Sequence, residues 1–298
     1  PLEKMLHRLN RNTRKGSRKN IHAHYDIGND LFRLFLDETM MYSSAYYASE
    51  DMDLAQAAVA KLDLVCRKLA LKETDHLLEI GTGWGGLALH AARHYGCRVT
   101  TTTISEEQYR LAKERVNRAG LTDRVTVLKQ DYRDLDGQYD KLVSIEMIEA
   151  IGHQYMGTYF EKCAQLLKAD GMMLIQAITI REQLYESALR DVDFIKKYIF
   201  PGGFLPSVGA MSEAIGKCTD MKLFHLQDIG PHYARTLRDW RDNFFSRLEE
   251  IRNLGYSEEF IRLWEYYFCY CEGGFIERDI GTVQMLLTKP QNRRNPLI

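Results

Sequence analysis

Short apolar segments alternate with helix-like stretches along most of the chain. They lie at residues 76–80, 98–103, 124–128, 141–145, 172–178, 222–229 and 282–287. Apolar segments of this length, separated by helical stretches, are typical of βαβ units. The pattern therefore predicts an α/β fold with a doubly wound, mostly parallel sheet.

One helix in this pattern has clearly marked ends. Ser105 and Gln108 have the spacing of a capping box, and Gly120 suits the C-terminal cap. We therefore expect a helix directly after the second strand.

The charge distribution divides the chain near residue 20. Before residue 21 the only acidic residue, Glu3, stands against seven basic ones: Lys4, Arg8, Arg11, Arg14, Lys15, Arg18 and Lys19. We expect residues 1–20 to form a basic arm or linker, with an upstream segment missing because the chain starts at Pro1. Such an arm suits anionic lipid headgroups or nucleic acid, or is simply solvated.

The rest of the chain is expected to be a single domain at 21–290. Helical spacing of apolar residues predicts insertions near 181–220 and 232–278. Because ligands of open α/β sheets bind beyond the carboxyl ends of the strands, these insertions are placed to form a lid.

Composition indicates a globular protein and argues against a disulfide-rich, metal-binding or membrane-spanning one. The 298 residues are 45% hydrophobic, which is enough for a substantial core. The six cysteines form no CxxC pair, so we expect reduced thiols, a cytoplasmic location and no metal site. No stretch is apolar enough to predict a signal peptide or a membrane span.

A glycine-rich turn after the first strand predicts a nucleotide-cofactor site. Gly81, Gly83 and Gly86 allow a tight turn, close approach of a ligand and close packing of the following helix. This spacing fits nicotinamide cofactors and S-adenosylmethionine equally. The second strand ends at Thr103 without the acidic residue that a nicotinamide ribose requires, which disfavours a dehydrogenase.

Several further motifs make the chain resemble a known family. They are HYDIGND at 24–30, MYSSAYY at 41–47, the glycine turn, TISEEQ at 103–108, QDYRD at 130–134 and KYIFPGG at 197–203. Together they resemble the cyclopropane-fatty-acyl-phospholipid synthases, S-adenosylmethionine enzymes that include the mycolic acid cyclopropane synthases. The resemblance implies a class I methyltransferase fold with a seven-stranded sheet, a helical lid and an acyl pocket.

The same resemblance implies which residues bind S-adenosylmethionine. Tyr42 and Ser43 would close over its methionine part, and Glu79 would contact the ribose or amino group or else orient the loop. The remaining cofactor residues would be Gly81 and Gly83 against the cofactor, Thr103, Ile104 and Gln108 on the ribose side, and Tyr132 beside the adenine. His24 would brace the cofactor lid.

The site for the catalytic base departs from the family pattern. Family members hold a bicarbonate ion between a cysteine, a glutamate, a histidine, an isoleucine backbone and a tyrosine. Glu149, Ile178 and Tyr233 match, but Ser44 replaces the cysteine and Gln176 the histidine. Bicarbonate therefore loses two of its usual partners.

Glu146 offers a replacement for that ion. It stands three residues before Glu149, where the family has a small residue. Our hypothesis is that its carboxylate occupies the space of bicarbonate and serves as a built-in base, held by Ser44, Gln176 and Tyr233. The alternative is that Glu146 turns toward the cofactor or solvent and bicarbonate still binds.

The resemblance implies an unsaturated phospholipid acyl chain as substrate and a cyclopropane as product. A changed base also leaves open methylene- or methyl-branched products, an amine acceptor as in coclaurine-type N-methyltransferases, or a lipid-binding scaffold without activity. We expect no nucleic acid partner and peripheral association with the inner face of the membrane, and the sequence leaves a homodimer open.

Overall fold

The computed structural model describes residues 12, 13, 16 and 28–295. Most of the basic arm and His24 of the HYDIGND motif therefore lie outside the described residues. The division into an arm and a single domain stays a prediction.

Seven strands form one mixed sheet in the order β3-β2-β1-β4-β5-β7-β6. Strands β1 to β5 pair in parallel, and β7 runs antiparallel to both of its neighbours. This confirms the predicted doubly wound, mostly parallel fold. The strands are β1 (His76–Ile80), β2 (Arg98–Thr103), β3 (Val125–Lys129), β4 (Tyr139–Ile145), β5 (Leu167–Ile180), β6 (Lys222–Asp228) and β7 (Ile280–Thr288).

The largest difference from the predicted strands is the length of β5, which begins five residues before the predicted segment at 172. The added residues 168–170 are exposed and polar or small, so they leave no apolar signal in the sequence. Leu167 pairs with Tyr139 of β4, and the Lys289 and Gln291 amides donate to the Gly171 and Ala169 carbonyls, so backbone pairing rather than local hydrophobicity extends this strand.

Ten helices flank and cover the sheet in the part of the chain that the structure describes. They are α1 (Asn29–Phe35), α2 (Leu54–Leu69), α3 (Gly86–Tyr95), α4 (Glu106–Arg118), α5 (Met156–Gln165), α6 (Glu182–Arg190), α7 (Val208–Cys218), α8 (Gly230–Ser246), α9 (Leu248–Asn253) and α10 (Glu258–Ile276). Short 3₁₀ turns lie at Tyr132–Asp134, Ile148–Ala150 and His153–Tyr155, and a π-helical turn at Ile195–Ile199.

Helix α4 has only half of the predicted capping box. The Ser105 side chain accepts a hydrogen bond from the Gln108 amide, as expected. The Gln108 side chain, however, accepts from the Thr103 hydroxyl at 2.8 Å instead of returning to the cap. Thr103 competes for this side chain because it ends β2 two residues before the cap.

Helix α1 and the segments beyond β5 together enclose an aromatic core. Most of its largest buried side chains come from α1, α8 and α10, and they pack as tilted and edge-to-face rings. Such ring pairs add to the burial of large apolar area. The members that reach toward the sheet are Tyr42, Ile178 and Tyr233, so this core borders the carboxyl ends of the strands.

Among the described residues, no helix combines the length and the hydrophobicity that a membrane span needs.

Candidate active site

Glu146 follows β4 directly and has a strained backbone. Its φ of 48° lies in the left-handed region, which costs a residue with a side chain about 1 kcal/mol or more. Its amide still donates to the Gln176 carbonyl at 2.8 Å, which continues the pairing with β5. The left-handed turn sends the side chain away from the strand, toward the lid.

Three donors converge on the Glu146 carboxylate. Oε1 accepts from the Ser44 backbone amide at 3.0 Å and from Gln176 Nε2 at 2.8 Å. Oε2 accepts from the Tyr233 hydroxyl at 2.8 Å. Ser44 contributes only its amide, because its hydroxyl donates to the Ala45 carbonyl. All three contacts favour the ionised carboxylate.

Glu149 is the second carboxyl of the site. Its Oε1 accepts from the Ile178 amide at 2.6 Å, while Oε2 is buried without a hydrogen-bond partner among the described residues. Burial, and then the nearby Glu146 charge, raise the pKa of Glu149 to about 8. Burial therefore favours the neutral, protonated form of Glu149.

The two carboxyls consequently have different charges. Burial raises the pKa of Glu146 as well, but its three hydrogen bonds and the Lys61 charge oppose that rise. Glu149 has backbone hydrogen bonds but no cation that lowers its pKa. With three donors on Glu146 and one on Glu149, the hydrogen bonds favour the charge on Glu146 and the proton on Glu149.

Lys61 is a buried cation that the sequence analysis missed. Its Nζ donates to the Ser43 hydroxyl at 2.8 Å, and its side chain is fully buried. Burial lowers its pKa to about 8, while Glu146, Asp37 and Glu79 favour its charge. A signal was present, because Lys61 continues the apolar stripe of α2 at helical spacing.

The glycine turn after β1 has room for a ligand. Gly81 has a φ of 102°, and its amide and that of Thr82 both donate to the Thr102 carbonyl. Gly83 has a φ of 52°, and a Cβ built there would meet no atom within 4 Å. The turn therefore fits a cofactor that lies directly against the backbone.

Glu79 faces this turn from β1. The Thr101 hydroxyl lies 2.6 Å from Glu79 Oε2 and 2.7 Å from the Thr82 hydroxyl. Burial raises the pKa of Glu79 to about 8. These contacts connect Glu79 to the loop, as in the loop-orienting interpretation.

The remaining predicted cofactor residues surround the same end of the sheet. Thr103 ends β2, Ile104 follows it directly, and the Thr103 hydroxyl donates a hydrogen bond to the Gln108 side chain. Tyr132 begins the turn after β3 and packs edge-on against Tyr159. The structure thus brings these residues to adjacent strand ends, while their contacts with a cofactor stay predictions.

Tyr42 joins the cofactor end to the lid. Its hydroxyl lies 2.9 Å from that of Tyr267, and its ring packs 5.2 Å from Trp240. Tyr233 in turn stacks on Phe275 at 4.5 Å. The Tyr233 hydroxyl thus brings the Glu146 carboxylate to the edge of an aromatic cluster, and aromatic rings suit cationic groups.

Gly83→Ala tests the cofactor turn. We expect S-adenosylhomocysteine to bind about tenfold or more weakly, because the methyl group would enter the open space beside the turn. Gly120→Ala is the matched control, since Gly120 has a φ of 66° and equal free space. Calorimetric titration should show unchanged affinity for this control, and equal losses in both variants would place the ligand elsewhere.

The sequence matches the family described as mycolic acid cyclopropane synthetase over residues 12–285. The tuberculostearic acid methyltransferase UfaA1 of Mycobacterium tuberculosis is 42% identical over 284 residues, covering 93% of this chain and 66% of that protein. The cyclopropane-fatty-acyl-phospholipid synthase of Escherichia coli K12 is 41% identical over 266 residues, covering 89% and 66%. This chain thus spans 66% of the length of each relative.

Solved structures show the same similarity. The mycolic acid cyclopropane synthase CmaA1, complexed with SAH and CTAB, matches with a TM-score of 0.86 and 33% identity, covering 91% of this chain and 98% of that one.

Proposed function

Because the chain belongs to the mycolic acid cyclopropane synthetase family, we propose that it adds the methyl carbon of S-adenosylmethionine to a cis double bond in a phospholipid acyl chain. The product would be a cyclopropane fatty acyl chain. The observation that carries the proposal is the Glu146 carboxylate, held by three donors among aromatic rings beyond the strand ends.

The chemistry divides between the cofactor and the chain. When bound, S-adenosylmethionine would supply an electrophilic methyl group: the alkene π electrons would form the new C–C bond, the electrons of the broken S–CH₃ bond would stay on sulfur in S-adenosylhomocysteine, and the acyl chain would carry the positive charge. Glu146 then removes one proton from the new methyl group, and the freed C–H electron pair closes the ring. The rings of Tyr42 and Tyr233 favour the cation and exclude water, which would otherwise add to it.

Glu146 fits the role of base because three hydrogen-bond donors stabilise its negative charge and fix its orientation. Ser44, Gln176 and Tyr233 orient the carboxylate, while burial raises its pKa and strengthens it as a proton acceptor. In this proposal bicarbonate is not needed, since Glu146 already engages Ser44, Gln176 and Tyr233, and Glu149 takes the Ile178 amide.

A methyl- or methylene-branched product is the second candidate, and its support is the UfaA1 relative, named a tuberculostearic acid methyltransferase. Loss of a proton from a neighbouring chain carbon would leave a methyl-branched alkene. A hydride shift from the methylated carbon, followed by proton loss from the methyl group, would leave an exocyclic methylene. A saturated methyl branch would need a later reduction by a separate hydride donor.

Product analysis separates these candidates. Vesicles of cis-unsaturated phosphatidylglycerol would be incubated with the chain and ¹³C-methyl S-adenosylmethionine, and the lipids examined by NMR. We expect the label in a cyclopropane CH₂. Label in an exocyclic methylene or a methyl branch would support the second candidate. Transfer only to an added amine, or cofactor binding without transfer to any acceptor, would refute both.

We further propose that the chain docks on a membrane surface to reach its substrate. Besides the basic arm, an exposed aromatic patch (Phe194, Tyr198, Tyr266 and Tyr270) supports this, with Tyr198 and Tyr266 55% and 53% exposed. Tyrosine suits the membrane interface. Phe194 also packs against the aromatic core that contains Tyr233, so the patch borders the proposed acyl site.

Vesicle sedimentation tests the docking. We expect binding to phosphatidylglycerol vesicles to weaken with salt, and to fall about fivefold or more in a Tyr198→Ser, Tyr266→Ser double variant. Leu223→Ser, on the edge strand β6, removes a 39% exposed apolar side chain and serves as the control. Equal binding to neutral and anionic vesicles, with no loss in the double tyrosine variant, would contradict the proposal.

A further inference from the structure

A buried chain of hydrogen bonds leads from Lys68 to Glu146. Lys68 Nζ donates to Gln284 Oε1 at 2.7 Å, Gln284 Nε2 donates to Gln176 Oε1 at 2.9 Å, and Gln176 Nε2 donates to Glu146 Oε1 at 2.8 Å. Lys68 is 5% exposed, and both glutamines are fully buried. The two glutamines face each other because the register of β5 and β7 pairs them directly.

The direction of this chain is fixed at its ends. An ammonium group only donates hydrogen bonds, so Lys68 holds the oxygen of the Gln284 amide. The Gln284 NH₂ group must then face the Gln176 oxygen, which leaves the Gln176 NH₂ group toward Glu146. A carboxylate only accepts, so the chain is satisfied at every link when Glu146 is ionised.

We propose that Lys68 and Gln284 are positioning residues that lock the Gln176 amide in its donating orientation and thereby keep Glu146 a proton acceptor. The proposal rests on the assignment of Glu146 as base. Without the lock, the Gln176 amide could rotate and present its oxygen to Glu146. Two facing oxygens would favour a proton between them, and a protonated Glu146 cannot remove another.

Other charged groups also act on the ends of this chain. Around Glu146 they are Lys61 on α2, Glu149 in the turn after β4 and the Tyr233 hydroxyl on α8. Beside Lys68 they are His225 on β6 and Arg294. A test must therefore reverse the Gln176 amide without removing any of these groups.

Gln284→Glu makes that change with almost no change in shape. The substituted carboxylate accepts from Lys68 but cannot donate to Gln176, so the Gln176 NH₂ group must turn toward it and its oxygen toward Glu146. We expect the pKa of the Glu146 carboxyl to rise by about one unit or more. Carboxyl ¹³C titration of glutamate-labelled protein measures this, with Glu146→Gln assigning the signal and S-adenosylhomocysteine affinity confirming the fold.

Gln227→Glu is the matched control. Gln227 pairs with Gln284 from the neighbouring strand β6, so the same charge enters the sheet next to the chain without interrupting it. We expect a much smaller rise in the pKa of Glu146. An unchanged titration in folded Gln284→Glu, or an equal rise in both variants, would overturn the proposal.

Lys68, at the other end of the chain of hydrogen bonds, offers an independent test of the positioning role. This test is sufficient if Gln284→Glu does not fold. Lys68→Met removes the donor that fixes the direction, whereas Lys68→Arg retains one. We expect the pKa of Glu146 to rise in the first variant and to stay near its original value in the second. A rise in neither would overturn the proposal.

The activity readout should follow the titration. In an active enzyme, the acid limb of kcat/KM against pH should shift upward with the pKa of Glu146. Because the titration needs no turnover, a chain that transfers no methyl group would refute the proposed function alone, whereas an unchanged pKa would refute the positioning role alone.

Discussion

Glu146→Gln should lower the rate of lipid methylation about a thousandfold while S-adenosylhomocysteine binds with unchanged affinity. A positioned base contributes about 10² to 10⁴ in rate, and the amide has the shape of the carboxylate without its basicity. In the Gln variant the amide oxygen can take the place of Oε1 and accept from Ser44 and Gln176, and the NH₂ group in the place of Oε2 can donate to the Tyr233 hydroxyl oxygen. The loss should therefore appear in kcat, with little change in KM.

Initial rates with labelled cofactor and unsaturated phospholipid vesicles measure this effect. Glu149→Gln is the matched control, because Glu149 is already neutral and its amide analogue can still accept from Ile178. We expect that variant to stay within about tenfold of the wild type. Full activity of Glu146→Gln in bicarbonate-free buffer would contradict the assignment of the base.

Glu149→Gln should also change how stability depends on pH, by about 3 kcal/mol between pH 5 and pH 8. The pKa of Glu149 is about 8 in the folded protein, against 4.5 for a glutamate side chain exposed to water. Over that interval the folded state binds more protons than the unfolded state. Stability from this group is therefore complete below pH 4.5 and is lost as the pH rises through 8.

The glutamine variant has no such proton to lose. Relative to the wild type, its free energy of unfolding should increase as the pH rises from 5 to 8, as measured by urea denaturation. Glu213→Gln is the control, since the pKa of that exposed carboxyl is lowered by Lys217. Parallel pH curves for the wild type and Glu149→Gln would show that Glu149 is ionised in the folded protein.

The fold could be predicted because its signals are local. Apolar runs at strand length and the glycine turn set the sheet, and all seven strands lie where the runs predicted them. The extension of β5 could not be predicted, because residues 168–170 are exposed and the pairing there comes from distant backbone, with the Gln291 amide donating to the Ala169 carbonyl. The predicted reciprocal hydrogen bond of the capping box, from the Ser105 amide to the Gln108 side chain, was wrong. The Gln108 side chain accepts from the Thr103 hydroxyl instead.

The site was predictable only in part. Its position follows from the strand ends, and the resemblance drew attention to Glu146, Gln176 and Tyr233. The buried cations Lys61 and Lys68 could have been suspected, because both lie on the apolar stripe of α2. The hydrogen-bond partners of Lys68 could not have been predicted. Gln284 contacts Gln176 only because β5 and β7 pair in this register, and the two residues are more than 100 positions apart in sequence.

The backbone at Glu146 permits a direct test of the built-in base. With a φ of 48°, glycine fits this position better than any other residue, so Glu146→Gly removes the carboxylate and relieves strain. The space that remains is lined by the Ser44 amide, Gln176 and Tyr233, which can hold a small anion.

The most direct measurement is the rate of lipid methylation by the wild type and by Glu146→Gly as bicarbonate is removed and restored. We expect the wild-type rate to be independent of bicarbonate, whereas Glu146→Gly should be inactive without bicarbonate and regain activity as bicarbonate is added. Loss of wild-type activity on removal of bicarbonate would show that Glu146 is not the base.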